Sequence, residues 1–208
     1  MLLARLQLFF PAIMHIYYPD LAAIELQTRQ LECERCPHCG QMQLVSHGYV
    51  YKKCVGAEPQ AVGKRVICAN RRRDGCGRTV RLYLDSTVRY LHYAGTQVVA
   101  FVLALMAGLR VQPAYCQATG TAEPRNAWRW LNRLHGQLSC YRSLSHRAPL
   151  PEADGDAPGT DRCVRREVLK STLQNLLQHF GPPICANYQR QTQRSFLPLP
   201  SSAPMPIR

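Results

Sequence analysis

"CPHCG", residues 36–40, sets two cysteines on a loop short enough to turn both sulfurs toward one point. Such a pair can supply two of the four corners of a tetrahedral zinc. Pro37 stiffens the entry, and Gly40 permits the backbone turn after the second sulfur. A second pair is then needed, and the best candidates are Cys68 and Cys76, the latter inside "GCGRT" and again followed by glycine. Seven residues, "ANRRRDG", separate Cys68 from Cys76 where two are usual, so the second knuckle carries an insertion. Other ligand sets stay open: Cys33 and Cys36 also form a CxxC, and His38 or Cys54 could replace a proposed ligand. Cys116, Cys140, Cys163 and Cys185 are singly placed and read as small buried hydrophobes. No βαβ pattern surrounds the pair, which argues against a redox CxxC.

Around these cysteines, "QLVSHGYVYKK", "KRVICA" and "TVRLYLD" are short runs rich in β-branched or aromatic residues and punctuated by Gly and Pro. They read as strands. The expected fold is therefore α+β, with a small antiparallel zinc ribbon over residues 31–90. A structural zinc contributes on the order of 10–16 kcal/mol, so such a ribbon needs only a modest apolar core. Residues 1–30 read as a lead-in, helical around Leu21 to Gln30.

Charge points to an anionic partner. Lys and Arg number 26 against 13 acids, a net charge of +13, and nucleic acid is the leading candidate. From Lys64 to Arg81 there are seven basic residues and one acid, Asp74. Arg71, Arg72, Arg73 and Arg78 of this run are candidate phosphate contacts. An RNA-binding ribbon is less favoured, because Tyr49, Tyr51 and Tyr83 are the ribbon's only candidates for base stacking.

Beyond residue 90 the periodicity becomes helical. Residues 91–145 are expected to form a helix-turn-helix-like domain: Gln97 to Ala107, Gln112 to Thr119, then a third helix begun by "TAEPRNAWRWLNRL" and capped by Thr121. Its apolar face carries Ala127, Trp130, Leu131, Leu134 and Leu138. Arg125, Asn126, Arg129, Asn132 and Arg133 lie opposite, where Arg and Asn can read guanine and adenine edges in a major groove; Arg133 could instead hold a phosphate. Residues 146–161 read as a linker, 162–181 as a C-terminal helix and 182–208, rich in proline, as a disordered tail.

The longest apolar run, Val98 to Leu109, has twelve residues, whereas a membrane span needs about 20. The opening "MLLARLQLFFPAIM" lacks a charged n-region and a small-residue cleavage site, so a reducing cytoplasm is expected rather than secretion. Met14 offers an alternative start.

"CPHCG", "CGRT" and "RNAWRWLNRL" together resemble the zinc ribbon and helix-turn-helix at the front of bacterial insertion-element transposases and in their small accessory DNA-binding proteins. The resemblance covers about residues 33–140, and the seven-residue interval before Cys76 departs from the family pattern. It implies Cys36, Cys39, Cys68 and Cys76 as zinc ligands and Arg125, Asn126, Arg129 and Arg133 as DNA contacts at element ends. Cutting chemistry is not expected, since phosphoryl transfer needs carboxylates gathered around two divalent ions. The acids after residue 140 are few, and four of the five lie in or beside the expected linker. The expectation is a zinc-dependent DNA-binding protein associated with transposition and not itself an enzyme, with a separate catalytic transposase subunit and a second copy of the chain as further candidate partners. The alternative is a zinc-ribbon adaptor for another protein, or a transcriptional regulator.

Overall fold

A computed structural model describes residues 16–42, 44–69, 75–144 and 160–198, with side chains in the last stretch from Arg166 onward. The chain is mixed α+β and divides into two compact units, Met1–Tyr51 with Ala61–Leu84, and Lys52–Gln60 with Asp85–Arg208. Arg71, Arg72, Arg73, nearly all of the expected linker and the last residues of the expected tail lie outside the described residues.

The first unit is a sheet covered by one helix. Its strands are β1 (Tyr17–Tyr18), β2 (Leu44–Lys52), β3 (Gln60–Cys68) and β4 (Thr79–Leu84), in the order β1-β4-β3-β2. β3 and β4 run antiparallel, with Lys64 opposite Leu82, Arg65 opposite Arg81 and Val66 opposite Val80. β1 adds in parallel to β4, so part of the expected lead-in belongs to the sheet. The helix α1 (Leu21–Glu32) starts where the Asp20 carboxylate accepts the Ala23 N–H at 2.7 Å, which satisfies a donor that has no partner within the helix. Ile24, Thr28 and Leu31 recur at helical spacing and are buried. Ile24 and Leu31 pack with Leu44, Val66 and Leu82 of the sheet, and Cys36 and Cys68 complete this core.

The second unit is helical: α2 (Gly95–Met106), α3 (Val111–Thr119), α4 (Ala127–Leu144), α5 (Thr160–Phe180) and α6 (Ile184–Thr192). Val98, Phe101 and Val102 turn one side of α2 into the core. There Trp130 of α4 meets Tyr93, Phe101 and Tyr115 edge-on at 5.2, 5.5 and 5.0 Å between centroids, a geometry that sets positive ring edges against negative faces. Among the described residues no helix is long and apolar enough to cross a membrane.

Two expectations need correction. The third helix starts at Ala127, not Thr121: the Thr121 hydroxyl is taken by the Glu123 N–H at 3.2 Å, and the residue before Pro124 is disfavoured in helical geometry. The connection from α3 to α4 thus spans residues 120–126, longer than the three or four residues of a helix-turn-helix. The short, glycine-containing turn is the one between α2 and α3, residues 107–110.

The second correction concerns the expected disordered tail, since residues 184–192 form α6, and Ile184, Cys185, Tyr188, Phe196 and Leu197 are buried in the helical core. Prolines break the periodicity here, so anchors that insert one at a time leave no pattern to read. A buried glutamine ties this segment down. Gln189 Nε2 donates to the Asp85 and Thr87 carbonyls at 2.6 and 3.0 Å, and its Oε1 accepts the Phe196 N–H at 2.9 Å.

Replacing Gln189 by Leu leaves those backbone groups unpaired at about 1–3 kcal/mol each if they remain buried. The expected result in urea unfolding is a loss of at least about 2 kcal/mol, seen in the helical unit.

Candidate metal centre

The four cysteines come from two loops. Cys36 and Cys39 follow α1; Cys68 ends β3, and Cys76 lies just before β4. The first loop closes through Gly40 N–H to Cys36 O and Cys36 N–H to Gln41 O, both 2.8 Å. Its backbone also turns inward, with the His38 N–H 3.4 Å from Cys36 Sγ. The second closes through Cys68 N–H to Arg78 O at 2.9 Å and Gly77 N–H to Cys68 O at 3.1 Å. Gly40 and Gly77 both have positive φ, 75° and 67°, a conformation that a side chain would strain.

These bonds explain how the long interval before Cys76 is accommodated. They join the chain on either side of residues 69–75 directly, so the number of residues between does not separate the two sulfurs. Cys36 Sγ lies 3.7 Å from Cys76 Sγ, and Cys39 Sγ lies 3.6 Å from Cys68 Sγ. All four sulfurs fall within 4.8 Å of one another, and together they could hold a metal ion. A disulfide would bring two sulfurs to about 2 Å. By contrast, an ion about 2.3 Å from four sulfurs at tetrahedral corners holds them about 3.8 Å apart. The two short separations fit the edge of that tetrahedron.

The thiols differ in their protonation. The Gln41 backbone, helped by the neighbouring thiols, brings Cys39 down to about 7, whereas burial pushes Cys68 up to about 12. A bound cation would favour the thiolate at every one of the four. The remaining candidate ligands stand apart from this cluster. Cys33 is exposed, Cys54 belongs to the other unit, and His38 Nδ1 sits 3.4 Å from Arg78.

The described DNA-contact candidates differ in exposure and in their partners. Arg78 is exposed beside the second knuckle. Lys64, the first residue of the basic run, is bonded to Glu25 and only 12% exposed. Arg125 pairs with Glu123 at 3.2 Å, and Asn126 accepts from Arg129 at 3.4 Å. Arg133 is half-buried, its Nη1 without a hydrogen-bond partner among the described residues. Burial and the nearby Arg129 charge both lower its pKa. Arg125, Arg129 and Arg133 recur every four residues, so these basic groups run down one side of α4 and the turn before it.

No protein-family model matches this chain, nor does any curated protein or solved structure match it significantly.

Purified protein is expected to carry one metal ion per chain by elemental analysis. Cys39→Ser should lower that content and melt the sheet unit, while Cys33→Ser, at an exposed position outside the cluster, should leave both unchanged.

Proposed function

We propose that this chain is a zinc-stabilised DNA-binding protein without cutting chemistry of its own, acting with a mobile element either at its ends or as its regulator. The observation that carries this reading is the four-sulfur cluster in a unit whose strands β2, β3 and β4 contain no Asp or Glu and carry Arg65 and the exposed Arg81, with Arg78 exposed beside the second knuckle. The thiolates of Cys36, Cys39, Cys68 and Cys76 would hold the zinc, which supplies cross-linking and no reaction step. Zinc is favoured because an all-cysteine tetrahedron suits its borderline-soft character and closed structural sites. The link to transposition rests on the likeness of "CPHCG", "CGRT" and "RNAWRWLNRL" to transposase modules, and a separate catalytic subunit would be the natural partner.

Within this reading Arg129 is exposed on α4 and positions the duplex through phosphate. Polarisation titrations of labelled duplex at two salt concentrations should show affinity falling steeply with salt, because each neutralised phosphate contributes about 0.9 to the logarithmic slope. Salt-independent affinity would reject the proposal. Arg129→Ala should keep the fold and reduce the slope by about one contact.

One observation favours the second reading, an adaptor for another protein. A groove of about 1190 Å³ in the helical unit is lined by Leu105, Met106, Leu131 and Leu169, with Trp128 at one wall and Arg166 among its basic groups. Trp128 is 54% exposed, and a partly solvated tryptophan in an apolar groove is a common anchor at interfaces. Protein that ignores duplex DNA, and that loses a co-purifying partner on Trp128→Asp, would establish the adaptor reading.

A further inference from the structure

The register of β3 and β4 creates an electrostatic conflict. Arg65 and Arg81 are direct cross-strand partners, so their side chains leave the same face of the sheet with Cβ atoms about 5 Å apart. That face is the one turned away from α1. The adjoining pairs on the other face, Lys64–Leu82 and Val66–Val80, lie beneath the helix: Val66 and Leu82 are in its core, and Lys64 bonds Glu25. Like charges directly opposed on neighbouring strands destabilise a sheet.

Among the described residues no carboxylate relieves the conflict. No carboxylate stands on β2, β3 or β4, and among the described residues neither arginine has an ion-pair partner. Arg65 reaches across to the Tyr49 carbonyl at 3.4 Å, a weak bond that satisfies one of its five donors. Its Nε is out of contact with water and has no hydrogen-bond partner among the described residues. Arg81 is exposed. Two residues before it on the same face is Thr79, also exposed, whose hydroxyl can donate to an anion.

We propose that Arg65 and Arg81 form a phosphate clamp on the face of this sheet turned away from α1, closing on one phosphodiester of a nucleic-acid backbone with Thr79 beside it. Guanidinium groups match phosphate geometry through paired N–H donors. An anion seated between the two arginines turns a repulsive pair into two attractive ones. The clamp deepens the DNA-binding reading and rests on it for the source of the phosphate. The repulsion it relieves belongs to the free protein and can be measured without DNA.

The test uses the full, metal-loaded chain and the variants Arg81→Gln, Arg65→Gln and Arg81→Lys. In low salt without ligand, Arg81→Gln is expected to raise the thermal midpoint of the sheet unit by a few degrees, because it removes the repulsion. Inorganic phosphate at constant ionic strength is expected to raise the wild-type midpoint more than that of Arg81→Gln, with Arg81→Lys in between. In duplex titrations each Gln variant should reduce the logarithmic salt slope, by at most the roughly 0.9 that one phosphate contributes. An Arg81→Gln protein with a lowered midpoint and an unchanged phosphate response overturns the clamp. So does a wild-type chain that binds duplex with the same slope as both Gln variants, although DNA binding itself then stands. If no duplex binds, the DNA reading fails, and the phosphate response alone decides: its loss in Arg81→Gln supports the clamp with free phosphate as ligand, and its persistence overturns it. Arg81 is exposed, so its variants test the pair even if Arg65→Gln folds poorly.

Discussion

In the sheet unit four sulfurs from two loops meet at one point. Among the described residues, the buried apolar cluster beneath its helix has seven side chains, two of which are the cysteines Cys36 and Cys68. So few residues remove limited apolar surface from water, and small domains commonly need a metal or other cross-link to offset the entropy of ordering the chain. The loops that carry the thiols are shaped for the purpose. Each closes on its own backbone hydrogen bonds and turns through a glycine of positive φ, so little further ordering remains when an ion binds. The same point joins the end of α1 to the β3–β4 turn, and the register that opposes Arg65 to Arg81 begins only a few residues away.

The thiol cluster was legible because its chemistry is local. "CPHCG" and "GCGRT" declare the turn, the ligand and the glycine within five residues each, and backbone bonds between Cys68, Gly77 and Arg78 show why the long interval between them does no harm. Strands and helices were legible wherever apolar spacing ran for two turns or more, as in α2 and α5. What failed was anything set by a distant partner. Tyr188, Phe196 and Gln189 are anchored by residues far away in sequence, and the prolines around them hide every period. The pairing of Arg65 with Arg81 is likewise invisible in the chain, because a slip of one residue in register would put each arginine opposite another neighbour.

Charge behaves differently in the two units. In the sheet, Lys64 is neutralised by Glu25 and serves the packing of α1, while Arg65 and Arg81 are left facing one another. On α4, Arg129 and Arg133 stand one helical turn apart, and the half-buried Arg133 has a donor with no partner among the described residues. Like charges at this spacing cost a few tenths of a kcal/mol on an exposed helix. Cations left uncompensated in a folded protein lower its stability through mutual repulsion, which a bound anion would relieve.

The anchoring of residues 184–198 also governs the order in which the molecule can be completed during translation. Every described strand and helix of the sheet unit has been synthesised once Leu84 is made, so the four cysteines are all available long before the chain is finished. The helical unit must wait for Tyr188, Gln189 and Phe196, roughly a hundred residues later, a delay on the order of ten seconds at ordinary synthesis rates. Through that interval the apolar sides of α2, α4 and α5 lack their final cover. The residues of the sheet unit are thus complete first, and those that close the helical core come last.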